Sequence, residues 1–310
     1  MEKKYKKSID EVLLNKISTY RNIKSDAYNI RKNGKVFERK TTDNINIITK
    51  KEKNGIDIFI AENALNETVH IPVIITESGL KDTVYNDFYI GKNAKVTIIA
   101  GCGIHNEHHE ESEHSGIHRF YLEEGAHVKY IEKHYGQGNS VGKKIINPVT
   151  EIYMKKNSLM EMDSVQIKGV DFSIRETKGE LEENSNLVIS EKIMTDKNQV
   201  AKTIFDVKLN GVNSSTHVIS RSVATEDSKQ FFESNIYGNS KCFARSECDA
   251  IIKDNAKVSA IPQIVANHVD ASLIHEAAIG KIAGEQLIKL MTLGLSEKKA
   301  EEEIIKGFLK

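Results

Sequence analysis

Three cysteines and a run of histidines are the side chains best suited to chemistry in this sequence. The stretch GCGIHNEHHEESEHSGIHRF holds Cys102, His105, His108, His109, His114 and His118, with Glu107, Glu110, Glu111 and Glu113 among them. Five of the chain's eleven histidines therefore lie in one short segment. Thiolate and imidazole together suit zinc, copper or iron. The spacing matches no standard structural zinc site. His105, His108, His109, His114 and His118 thus read either as a candidate metal site or as an exposed polar loop. Cys248 lies in SECDAII, a strand-like run, and Cys242 lies six residues earlier in NSKCFAR. Even spacing puts these two on one face of an unbroken strand, and Cys242 reads as a buried core thiol. His275-Glu276, in SLIHEAAIGKI, is either an ion-paired cap or a pair of metal ligands. There is no P-loop, G-x-G-x-x-G, H-E-x-x-H or G-x-S-x-G, so no motif supports nucleotide binding or hydrolysis.

The elements that must position these residues follow from composition and spacing. The chain has 310 residues, with 44 basic and 44 acidic side chains. Zero net charge gives no basic field, which argues against nucleic acid as a partner. Three cysteines are a poor disulfide framework, and the start MEKKYKKSIDEV has no apolar signal core. No run approaches the roughly 18 apolar residues of a membrane span. The expectation is a cytoplasmic protein with free thiols.

Residues 1–46 are expected to form a helical segment, with Ser8 and Glu11 as a capping box and Ile9, Val12, Leu13 and Ile17 on one face. Asn33-Gly34 marks a turn. Residues 47–272 are rich in Val, Ile and Thr and carry a spaced dipeptide, Asn or Gly followed by Ala or Ser. It occurs at Asn63, Asn93, Gly125, Asn157, Asn184, Asn213, Asn239 and Asn255, at intervals of 30, 32, 32, 27, 29, 26 and 16. Apolar residues flank most copies at fixed offsets, with Asn66, Asn210 and Thr216 as exceptions. Short strands joined by such turns cannot bury their apolar faces singly, and stacked coils can. A mainly β solenoid is the preferred reading, with a β-sandwich of regular turns as the alternative. Residues 273–310 read as a helical pair: Leu287, Leu290 and Met291 on the first helix, Gly294 as its stop, Ser296 as the next cap, then Ala300, Ile304, Ile305 and Phe308 as an apolar stripe. That pair either caps the solenoid or docks a partner.

Several segments resemble the SufB/SufD family of iron–sulfur cluster assembly scaffolds. They are SLIHEAAIGKIAGEQLIKLMTLGLSEKKAEEEIIKGF at the C-terminus, SECDAII, and IIAGCGIHN followed by SEHSGIHRFYLEEGAHVKYIEKHYG. The resemblance covers residues from about 85 to 310, and in size the chain is similar to the compact SmsB-like members. It implies a right-handed parallel β-helix with helical ends and a non-enzymatic scaffold role. It also implies a C-terminal helical domain, residues 273–310, docking a SufC/SmsC-type ABC ATPase through Ala300, Ile304, Ile305 and Phe308. Cys102 matches the position that accepts persulfide sulfur from a donor. Cys248, His275 and Glu276 match the residues holding a transient iron–sulfur cluster. An acceptor thiol should be partly exposed and near cationic groups. One chain has few thiolates for a cluster, so a second copy, or a SufD-like partner, is expected to complete the site before transfer to recipient apo-proteins. Ile274 stands where bacterial SufB has Glu, and no N-terminal cysteine cluster is present. The alternative function is a metalloenzyme built on the His-rich segment.

Overall fold

The computed structural model describes residues 8–18, 26–138 and 141–310. Helix α1 (Ile9–Ile17) starts at Ser8, whose hydroxyl accepts from the Glu11 amide at 3.2 Å, as the capping box predicts. Its buried residues are Leu13, Leu14 and Ile17, whereas Ile9 is exposed. Strands begin well before residue 47. β1 (Ala27–Lys32) and β2 (Lys35–Lys40) form an antiparallel hairpin through Asn33-Gly34, both at positive φ, and β3 (Ile45–Thr49) follows.

The chain then alternates between two sheets. The first coils are β4 (Gly55–Ile60) with β5 (Leu65–Ile75), β6 (Lys81–Ile90) with β7 (Lys95–His105), and β8 (Ser112–Leu122) with β9 (His127–Gln137). In the next coil Asn147-Pro148 divides one strand position into β10 (Lys144–Ile146) and β11 (Val149–Met154), opposite β12 (Leu159–Ile167). The rest are β13 (Phe172–Leu181) with β14 (Asn186–Thr195), β15 (Val200–Leu209) with β16 (Ser215–Ala224), β17 (Lys229–Gly238) with β18 (Phe243–Ile252), and β19 (Lys257–Ala266) with β20 (Ser272–Gly280). One sheet runs β2-β1-β5-β7-β9-β12-β14-β16-β18-β20, the other β3-β4-β6-β8-β10/β11-β13-β15-β17-β19. Only β1–β2 and β3–β4 are antiparallel among these ladders. The result is a β-solenoid of about eight turns.

The repeated dipeptide is the corner between the sheets. At Asn63, Asn93, Asn157, Asn184 and Asn213 φ is +53° to +58°, a region Asn tolerates and β-branched residues avoid. The second residue tucks into the core: Ala94, Ala126, Ser185 and Ser214 are fully buried. Ser158, Ser185 and Ser214 donate at 2.6 Å to the carbonyl three residues back. Neighbouring corners are tied by Asn amides, Asn184 to Asn157 and Asn213 to Asn184, each at 3.2 Å. Seven copies lie on this one corner. Asn255 lies on the opposite one, between β18 and β19, which explains the interval of 16. Two of the three exceptions have physical reasons. Asn66 sits at a register shift with φ +59°, and Thr216 donates its hydroxyl to the Leu187 carbonyl at 2.9 Å.

Strand structure ends at Gly280, past residue 272, so His275 and Glu276 lie on β20 within the sheet. Helices α2 (Gly284–Thr292) and α3 (Glu297–Phe308) follow. Among the described residues no strand extends either sheet past this last coil. Both β19 and β20 are edge strands and are largely exposed, including Ile261, Ile264 and Ile274.

Candidate functional site

Side chains alternate in and out along each strand. Along the inner face of the sheet that runs from β2 to β20 one register row reads Glu132, Ser164, Glu191, Ser220, Cys248, on β9, β12, β14, β16 and β18. The adjacent row holds Cys102, His134 and Gln166. The facing sheet adds His118, Thr150, Thr177 and Arg175. The centre of the solenoid is therefore a polar column, flanked by apolar clusters.

Arg175 organises it. Its guanidinium pairs with Glu132, donates to His134 Nδ1 at 3.0 Å, and lies 3.5 Å from Glu191. Glu191 also accepts from Thr203 and Ser220, each at 2.9 Å. Tyr130 donates to Glu132 at 3.0 Å, so it accepts from His118 Nδ1 at 2.8 Å, which fixes the His118 tautomer. Burial opposes the charge on Glu132, but Arg175 and His134 outweigh it and hold this carboxyl well below the usual range. Glu191 is raised instead, because burial there outweighs Arg175 and the two hydroxyls. Burial lowers His118 to about 4 against the pull of Glu132, and it lowers His134 too, so both rings are neutral at pH 7. The hydroxyls of Thr150, Ser164 and Thr177 are buried without a partner, midway along the column.

The thiols sit at its two ends. Cys102 is 2% exposed and packs with Val73, Ile104 and Ile146. Burial, then Asp82 and Glu132, pushes its thiol well above the usual range. This corrects the expectation of a partly exposed thiol among cations. The motif GCG has a structural cause: Gly101 and Gly103 point outward beneath α1, where a Cβ would meet Ile17 Cβ at 2.9 Å and Leu13 Cβ at 3.2 Å. Cys248 is also buried, and burial, then Glu191 and Asp249, pushes its thiol up to about 12. Cys242 is a buried core residue as expected, just ahead of β18.

His275 and Glu276 are separated by the strand pleat. His275 pairs in register with Ser246, diagonal to Cys248 on the inner side, and neither of its ring nitrogens has a partner. Glu276 pairs with Glu247 on the outer face and accepts from Arg245 at 2.8 Å. The five histidines of the candidate metal site are separated likewise. His114 and His118 face the interior, His105 ends β7 near Glu107, and His108 and His109 are exposed. Among the described residues no three His, Cys, Asp or Glu side chains converge on a point that would hold a metal ion. Of the C-terminal stripe, Ala300 is fully buried, while Ile304 and Phe308 line a groove of about 860 Å³ between α2, α3, β18 and β20. The exposed apolar residues of this region are Ile288, Met291 and Leu293.

Sequence reading missed Glu132, Arg175 and Glu191. Counting alternate positions from each corner dipeptide finds the first: Ala126 is buried, so 128, 130, 132 and 134 face in.

A family profile described as "SUF system FeS cluster assembly, SufBD core domain" matches residues 79–308. Relatives described as iron–sulfur cluster assembly SufBD family proteins occur in several archaea. That of Methanothermobacter thermautotrophicus is 27% identical over 241 residues, covering 76% of this chain and 57% of its own. One from Pyrococcus horikoshii is 27% identical over 288 residues, 89% of this chain and 84% of its own. One from Methanocaldococcus jannaschii is 26% identical over 251 residues, 78% and 76% respectively. The chain thus spans a little over half the length of the Methanothermobacter protein and most of the other two.

Proposed function

This chain belongs to the SufBD family of the SUF iron–sulfur cluster assembly system, and on that premise we propose that it is a non-enzymatic scaffold on which a cluster is assembled before transfer to apo-proteins. The observation that carries this reading is the polar column joining two buried thiols and reaching the uncovered end of the solenoid. In this account Cys102 accepts sulfur and Cys248 with His275 holds the cluster. Five strand-to-strand steps separate β7 from β18, about 24 Å at roughly 4.8 Å each. Direct thiol-to-thiol transfer over that span is impossible, so in this reading a reducing thiol cleaves the Cys102 persulfide, is itself oxidised, and releases the outer sulfur as hydrosulfide, which is small enough to move along the polar column.

A single chain presents Cys248 and His275 to the cluster, with Glu276 on the other face. A second copy, or a SufD-like partner, completes the ligand set. The uncovered β19 and β20 support an end-to-end partner, because unpaired strand edges with exposed apolar side chains recruit another chain. A cluster with few thiolates is also easier to give away. The helical pair docks a SufC/SmsC-type ABC ATPase. With Ala300 buried and Ile304 and Phe308 turned toward the groove, its outer contact is Ile288, Met291 and Leu293. No helix among the described residues is long and apolar enough to cross a membrane, and the free thiols suit the cytoplasm.

Anaerobic reconstitution with iron and sulfide tests the scaffold role. The visible cluster chromophore is expected in the unmodified chain and in Cys242→Ser, and is expected to be lost in Cys248→Ser. Equal absorption in all three refutes the assignment.

A further inference from the structure

The scaffold reading leaves the space beside Cys102 without a role. A cavity of about 10 Å³ lies there, lined among others by Cys102, His114, Gly116, His118, Glu132 and His134. That is room for about one water-sized atom. Two features mark it as built. Gly116 faces inward, and a Cβ there would lie 3.1 Å from His118 Nε2 and 3.5 Å from His114 Nε2, so glycine keeps the space open. His114 is more than nine-tenths buried, its Nδ1 faces Asp82 Oδ2 at 3.4 Å, and its Nε2 is therefore turned toward the Gly116 side, where the cavity lies.

Resting on the assignment of Cys102 as the sulfur acceptor, we infer that this cavity is a one-atom sulfur site that houses the outer sulfur of a Cys102 persulfide, delivered by a small inorganic polysulfide. A donor cysteine on another protein cannot bring its sulfur to a thiol that is 2% exposed without displacing strands. Hydrogen disulfide anion is small enough. The Cys102 sulfur bonds to the hydrogen-bearing sulfur of the donor, and the donor S–S bond breaks. The departing sulfide takes the thiol proton and leaves as hydrosulfide. The transferred sulfur keeps its hydrogen, and no oxidant is needed. His118, whose Nδ1 donates to Tyr130, has Nε2 as its acceptor; that atom faces Asn86 at 3.3 Å and can also accept from the persulfide S–H.

The test loads the full chain anaerobically with sodium polysulfide, removes the excess, and maps added sulfur by alkylation and peptide mass spectrometry. One extra sulfur is expected on Cys102 in the unmodified chain. Gly116→Ala fills the cavity and is expected to retain about tenfold less, with thermal unfolding followed in parallel to confirm folding. Val73→Ala enlarges the same cavity and is expected to keep the unmodified level, which holds the test open should Gly116→Ala fail to fold. Glutathione persulfide is expected to load about tenfold more slowly than polysulfide. No sulfur on Cys102 in the unmodified chain overturns the acceptor role itself. Full retention in Gly116→Ala, or loss in Val73→Ala, overturns the cavity alone. Equal loading by glutathione persulfide overturns the small donor.

Discussion

Replacing Arg175 by Met tests whether the buried guanidinium holds the column together. The Arg175 side chain is 5% exposed, and its carboxylate partners Glu132 and Glu191 are 3% and 1% exposed. Without the guanidinium, the least costly response of Glu132 is to take up a proton. For a carboxyl of ordinary pKa 4.5, neutralisation at pH 7 costs about 3.4 kcal/mol, and at pH 5.5 about 1.4 kcal/mol. Leaving the charge buried and unpaired costs about 3–5 kcal/mol, so protonation is competitive. Urea unfolding should therefore show Arg175→Met destabilised by about 3 kcal/mol at pH 7 and about half that at pH 5.5. Glu132→Gln in the same chain should recover most of the loss at pH 7, because the carboxylate nearest the guanidinium then carries no charge, while Glu191 keeps its bonds from Thr203 and Ser220. A destabilisation that is the same at both pH values, or a double variant no better than the single, would show that the charge pairing is not what Arg175 contributes.

Other predictions concern the neighbours of Cys102. His118 is neutral in the fold down to about pH 4, against 6.5 for a free imidazole. Its folded pKa is depressed, so between 6.5 and 4 the unfolded chain binds a proton that the folded one does not. Stability present above pH 6.5 is lost as pH falls, by about 2.5 kcal/mol at pH 4.5. His118→Gln should flatten that part of the pH–stability profile in urea titrations at pH 7 and 4.5, and an unaltered slope would count against it. Gly101→Ala should destabilise the chain by about 1–3 kcal/mol, since its Cβ would lie 2.6 Å from the Lys133 carbonyl oxygen and 2.9 Å from Ile17 Cβ. Wild-type thermal stability in that variant would mean that α1 does not pack where described.

The corners of the solenoid were legible because Asn, Gly, Ala and Ser there serve local backbone geometry, which spacing reveals directly. The helical ends were legible from caps and apolar stripes. The column was hidden because polar residues in a strand suggest solvent: in HVKYIEKHYG the apolar Ile131 lies on the outer face while Glu132 and His134 face in. In the His-rich segment, closeness in sequence suggested one site, yet the pleat sends His114 and His118 inward while loop residues His108 and His109 stay outside. The same pleat separates His275 from Glu276. Whether neighbours share a site depended on strand parity, which residue type does not report.

The central claim is that Cys248 and His275, at the open end of the solenoid, hold a cluster between two chains. Anaerobic native mass spectrometry of the reconstituted protein tests it most directly. Iron and sulfide mass is expected on a two-chain species, lost in Cys248→Ser and retained in Cys242→Ser. Cluster mass carried by a single chain, or unchanged in Cys248→Ser, would contradict it.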